Sequence, residues 1–155
     1  MLQKIPKKTL LKLMRFWPPY LGSGISIESI NDDFTEITVK MVQRPYNTNY
    51  VGVHFGGSLY SMCDPFLMFI LMEHLGKNYI VWDQAASINF VKPGKGTVRA
   101  KFKVSKNEIE QIKVSADSEK SIRPEFNVIV TDINNTVVAK VSKTLYVKKK
   151  LNLSP

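Results

Sequence analysis

The spacing of apolar residues along this chain changes character twice, and each change marks a new structural element. Residues 24–30 and 34–42 alternate as two strands joined by an Asn31-Asp32-Asp33 turn. Residues 44–54 follow as an irregular stretch around the breaker Pro45-Tyr46-Asn47. From about 57 to 74 the polar positions almost disappear, and between Ser58 and Met72 the only charge is Asp64. A helix that is apolar nearly all round is a buried one, and Gly76 is its expected C-terminal cap. Pro65 removes a backbone donor and disfavours helical geometry at Asp64, so a kink that aims the Asp64 side chain is expected.

Beyond that helix the period becomes two. Residues 79–91 read as one long strand and Pro93-Gly94-Lys95-Gly96 as a turn. Residues 97–104 alternate cleanly, with Val98, Ala100, Phe102 and Val104 on one face and Arg99, Lys101 and Lys103 on the other. The charged stretch 105–121 is compatible with a loop or a short helix. Residues 126–132 and 136–147 form a final hairpin around Asn134-Asn135. This inventory predicts an α+β domain in which a curved antiparallel sheet wraps one hydrophobic helix. Residues 1–155 are expected to form this single domain, with an N-terminal amphipathic helix over 1–19 stopped by Pro18-Pro19 and a basic tail over 148–155.

Composition adjusts the picture in three ways. A length of 155 residues with 44% hydrophobic content supports one real core. The single Cys63 has no internal disulfide partner, which points to a reducing, cytoplasmic setting. Twenty-two basic residues against 13 acidic ones give a net charge of +9, favouring anionic partners or simply a solvated surface. The apolar run is too short and too interrupted for an integral membrane segment, and the N-terminus makes a poor signal peptide. No aromatic-basic motif of a nucleic-acid reader is present, so nucleic acid is not an expected partner. Two histidines and one cysteine match no metal-ligand spacing, so no metal is expected.

Within this framework the stretch from Asn49 to Asp64 carries the candidate chemistry. It resembles the signature of hotdog-fold acyl-CoA thioesterases of the phenylacetate-pathway type. In that signature an Asn precedes a His-Gly-Gly by six positions, and an Asp follows the His by nine. Here those places hold Asn49, Phe55-Gly56-Gly57 and Asp64. Phe55 thus occupies the position of the family's His, while His54 stands one place earlier. The strand running through Ala85-Ala86-Ser87-Ile88-Asn89-Phe90 to Pro93 is also similar to the family's strand closing on a proline turn. Near the place where the family uses a hydroxyl to hold water, this chain has Asp83.

The resemblance implies a hotdog fold, a homodimer or dimer of dimers, and hydrolysis of an acyl-CoA or acyl-carrier thioester. No separate cofactor is implied, since coenzyme A is part of the substrate. Asp64 would be general base or nucleophile. Gly56 would offer a backbone donor to the developing oxyanion, and Asn49 would orient Asp64 or the water. Phe55, His54 and Gly57 would line the substrate site, with Asp64 of one chain facing Asn49 and Gly56 of the other. Arg99, Arg123 and Lys148 to Lys150 are candidate contacts for phosphate, on charge alone.

Each residue also has a plainer reading. Asn49 serves as a turn residue, Gly56-Gly57 as a tight turn into a helix, and Cys63 as core packing. Asp64 serves as a cap or neutralises a buried lysine. A non-catalytic binder of acyl chains or acyl carriers on the same fold is the competing expectation.

Overall fold

The computed structural model describes residues 7–150. Six strands form one antiparallel sheet: β1 (Ile25–Ile30), β2 (Glu36–Val42), β3 (Tyr79–Phe90), β4 (Thr97–Lys103), β5 (Glu125–Asp132) and β6 (Val137–Lys149). Their order across the sheet is β1-β2-β4-β5-β6-β3, so β3 lies at one edge and β4 enters between β2 and β5. Alternation sets which face is buried. Ile37, Val39 and Met41 of β2, Val98, Ala100 and Phe102 of β4, and Val141, Leu145 and Val147 of β6 all point into the core.

Against that face packs α4 (Phe66–Leu75), which buries Phe66, Leu67, Ile70, Leu71 and Leu75. Its end carries Gly76 as a cap at φ 78°, as expected. The apolar stretch is divided rather than merely bent. A short helix α3 (Gly56–Ser61) ends before Asp64, and α4 restarts after Pro65, whose preceding peptide is cis. Pro65 lacks the donor that a continuous helix would need, so Asp64 sits in the gap between the two segments.

Two further expectations are corrected, at the N-terminus and at the basic tail, and the open alternative at 105–121 is resolved as a helix. The N-terminal helix is divided into α1 (Lys7–Lys12), a 3-10 turn (Leu13–Phe16) and α2 (Pro18–Ser23), with its first six residues outside those described. Pro18 and Pro19 start α2 rather than stop a helix, because proline fits the first turn, where no donor is required. The stretch 105–121 contains α5 (Lys106–Ser118). Its start is a capping box in which the Glu108 amide donates to Ser105 Oγ at 3.2 Å and the Ser105 amide donates to the Glu108 carboxylate at 2.8 Å. Lys148 and Lys149 belong to β6, paired with Ile80 and Tyr79, and not to a tail; residues 151–155 lie outside those described.

One glycine fixes the corner between the helical arm and the sheet. Gly24 caps α2 at φ 73°, and a Cβ there would lie 2.6 Å from Asn47 Nδ2 and 2.8 Å from the Val42 carbonyl oxygen. Asn47 itself is buried and donates to the carbonyls of Ser23 and Val42 at 2.8 Å each. Gly24→Ala is therefore expected to cost on the order of 1–3 kcal/mol through left-handed backbone strain and this contact. Chemical denaturation measures it, and an unchanged midpoint contradicts it.

Candidate active site

Asp64 meets Asp83 of the following strand β3 and Lys143, which the fold brings from the far end of the chain. Lys143 Nζ donates to Asp64 Oδ1 at 3.0 Å and lies 2.9 Å from Asp83 Oδ1. It also reaches the Cys63 carbonyl at 3.4 Å and sits 5.6 Å from the Tyr60 ring centroid. The Lys143 side chain is fully buried, that of Asp83 is 19% exposed, and that of Asp64 is 44% exposed. Asp83 belongs to the edge strand β3, and the β3–β6 register pairs Ala86 with Lys143. The cluster thus lies beneath the edge of the sheet, with half of Asp64 open to solvent.

The two carboxyls titrate differently. Burial raises Asp83 to about 6, the adjacent Asp64 adds to the rise, and Lys143 opposes it. Burial also works against the ionised form of Asp64, but Asp83 and Lys143 together outweigh it and hold Asp64 below the usual carboxylate range. Asp64 therefore ionises first as pH rises and Asp83 follows only at about 6, so both are ionised near neutral pH. Neither Asp83 oxygen has an aligned hydrogen-bond partner among the described residues, so Lys143 serves it as a counter-charge rather than as a directed donor.

This has a consequence for stability. The folded state holds the Asp83 proton more tightly than the unfolded chain does, so stability at this position falls as pH rises from 3.8 through about 6. The melting temperature of Asp83→Asn relative to the parent protein is expected to rise over that interval. A pH-independent difference in scanning calorimetry contradicts the assignment.

The remaining candidates gather elsewhere. Asn49, His54 and Gly56 line a cleft of about 370 Å³ with Phe90, Lys92 and Pro93, and neither Asp64 nor Asp83 is in its wall. Asn49 Oδ1 accepts from the amides of Val51 at 3.1 Å and Val53 at 3.0 Å, and so organises the 49–54 turn. His54 is buried, with Nε2 paired to the Gly96 carbonyl at 2.8 Å, and burial pushes its pKa down. Gly56 lies under the Phe90 ring and Gly57 under the Phe55 ring, where an added Cβ would meet ring carbons at 3.0 and 2.5 Å. The amides of Ser58 and Leu59 donate to the Phe55 carbonyl at 3.0 and 3.1 Å, whereas those of Gly56 and Gly57, at the start of α3, have no intrahelical acceptor.

The basic candidates are occupied on the other face. Arg99 grips Glu28 through Nε at 2.8 Å and an amino nitrogen at 3.0 Å. Arg123 donates to Ser121 Oγ at 2.9 Å and stacks 4.8 Å over Tyr146, which stacks in turn on Trp82. Cys63 is fully buried and burial pushes its thiol up to about 12, which suits a packing residue and not a nucleophile. Among the described residues no group of three His, Cys, Asp or Glu side chains is placed to hold a metal, and no helix is long and apolar enough to cross a membrane.

Sequence reasoning missed Lys143, although a signal for it existed. Along β6 the inward positions read Ala139, Val141, Lys143, Leu145 and Val147, so one cation occupies an otherwise apolar row. A buried cation requires nearby carboxylates.

No curated protein gives a significant match to this chain. Among solved structures, PA5026 from Pseudomonas aeruginosa, described as a protein of unknown function and probable thioesterase, superposes with a TM-score of 0.81 at 17% identity, over 95% of this chain and 98% of its own. Thioesterase HI1161 from Haemophilus influenzae gives 0.66 at 14% identity, over 99% and 97%. OLEI01261 from Chlorobaculum tepidum, of unknown function, gives 0.73 at 16% identity, over 92% and 94%. The architecture they share with this chain is the hotdog fold. The family model described as Domain of unknown function (DUF4442) matches residues 7–147, and the chain belongs to that family.

Proposed function

We propose that the protein hydrolyses a thioester of coenzyme A or a related acyl carrier, at a site assembled from two copies of the chain. The observation that carries this reading is the division of the candidates into two half-sites. The carboxylate cluster lies under β3, and the cleft with Asn49 and Gly56 holds neither carboxylate. The twelve residues of β3 pair on one side only, and an exposed edge of that length invites a second strand. Exposed Val51, Phe55, Phe90 and Val91 sit on or near the same edge and cleft. The thioesterase descriptions of PA5026 and HI1161 support the same reaction class.

In this mechanism Asp64, kept ionised by Lys143, takes a proton from water as its oxygen attacks the thioester carbonyl. The tetrahedral oxyanion accepts from the Gly56 amide of the other copy. Collapse breaks the carbon–sulfur bond, and the thiolate leaves with the proton from Asp64, giving carboxylic acid and free thiol. Thiol release from a panel of acyl-CoA esters tests the reaction. Turnover that appears only where sedimentation shows a dimer supports the shared site, whereas an active monomer or no turnover across the panel opposes it.

One observation favours a second reading, in which the fold binds acyl carriers without turnover. Asp64 is already the counter-ion of a buried lysine, and that alone explains a carboxylate in a greasy segment. Saturable calorimetric binding of a non-hydrolysable acyl-CoA analogue, with no thiol release from the matching ester, selects it.

A further inference from the structure

We infer that the cleft between the N-terminal helical arm and the end of β1–β2 is a binding site for a phosphate-bearing organic anion, held by Arg15, Lys40 and Arg44 beside Tyr46. The cleft measures about 330 Å³, and these three cations reach it from three separate segments: the 3-10 turn, β2, and the loop that follows β2. No carboxylate lines it. Like charges gathered at one concave place repel each other, and a bound anion relieves that repulsion.

Several cations elsewhere on the surface are committed to acids. Lys101 pairs with Glu36 at 3.0 Å, Lys106 with Asp33 at 2.7 Å and Lys149 with Asp117 at 2.9 Å. Among the described residues neither Arg15 nor Arg44 has an acid within ion-pair distance. Lys40 is 3.6 Å from Glu28, the acid that Arg99 already grips with two hydrogen bonds. Two guanidinium groups with free donors match phosphate oxygens better than a single carboxylate would.

Size narrows the ligand. The volume is near the lower end of the roughly 300–1,000 Å³ range of small-molecule sites, enough for a phosphoester with one ring but not for a whole acyl carrier. Tyr46 is 69% exposed and contributes an aromatic wall on which a planar ring can stack. Tyr20 joins this cleft to the carboxylate cluster, because it lines the cleft while its hydroxyl donates to the Asp64 carbonyl.

The phosphate has two possible sources, the carrier portion of the thioester or a separate metabolite. Calorimetric titration of the full chain with adenosine 3′,5′-bisphosphate and with inorganic pyrophosphate tests the shared chemistry. The parent protein is expected to bind the bisphosphate saturably, and the Arg15→Ala/Arg44→Ala double variant to bind it at least tenfold more weakly. Arg44→Lys, which keeps the charge but loses the fork, is expected to fall between them, and matched melting temperatures show that each variant is folded. Absence of saturable binding of both probes by the parent, or equal affinity in the double variant, overturns the proposal.

A kinetic arm, which alone rests on the hydrolytic reading, separates the sources. It takes the ratio of KM for an acyl-CoA to KM for the phosphate-free acyl-N-acetylcysteamine thioester. A tenfold rise of that ratio in the double variant assigns the phosphate to the carrier, and an unchanged ratio alongside weakened bisphosphate binding assigns it to a separate metabolite. If no thioester turns over, the titration still decides the site.

Discussion

Lys143→Met is expected to destabilise the protein by about 3–5 kcal/mol, the typical cost of removing one partner from a buried ion cluster. Methionine fills much of the same volume, so the loss comes from charge and not from a cavity. Without the ammonium, Asp64 and Asp83 face each other with no counter-charge, and each must take up a proton or draw in water. The effect is expected to shrink at acidic pH, where both carboxyls are neutral, and to grow as pH rises through the value of about 6 at which Asp83 ionises. Adding Asp83→Asn to Lys143→Met is expected to restore part of the loss at neutral pH. Urea denaturation of the two single variants and the double variant at acidic and neutral pH measures all of this, and additive single effects would show that Lys143 and Asp83 are not coupled.

Asp64→Asn is expected to lower thiol release by about 10²–10⁴-fold, the usual contribution of a positioned base. The fold should tolerate this change, because Lys143 keeps Asp83 as an opposite charge 2.9 Å away and the Asp64 side chain is almost half exposed. Asparagine keeps the shape and a hydrogen-bond acceptor but cannot take the proton from water. The loss should fall on kcat with KM little changed, since the carboxylate is asked to act in the transition state. Steady-state kinetics on one acyl-CoA ester, with melting temperature as the control, distinguishes this from unfolding. Equal kcat in the variant and the parent would remove Asp64 from the reaction and leave it only its ion pair.

The strands were legible because each has one buried face. Thr97–Lys103 alternates so regularly that Val98, Ala100 and Phe102 point to the core with no help from context. The apolar segment after Gly57 was legible as buried, but its division at Asp64 was not, since Pro65 signals a kink and a full stop in the same way. The charges of residues 105–121 obscure the helical period, so helix and loop fit the spacing equally. Ser105 and Glu108 at capping-box spacing, followed by Ile109, Ile112 and Ala116, resolve the choice. Within the site, Asp64 was visible as the lone acid of an apolar run, and Asp83 through its place in the family-like strand. Their partner was not, because Lys143 lies 79 residues from Asp64 and only the β3–β6 register brings it beneath them. Arg99 illustrates the reverse case: its charge suggested an anionic ligand, but Glu28 across two strands supplies the carboxylate.

A cation enclosed between two acids also constrains how such a chain can drift among relatives. Position 143 cannot change alone without leaving like charges stranded, so replacements there should be inherited together with changes at 64 or 83. In divergent lineages the trio should appear either whole or exchanged as a set for uncharged side chains, and many independent losses of the lysine with both acids retained would contradict its role as their keystone.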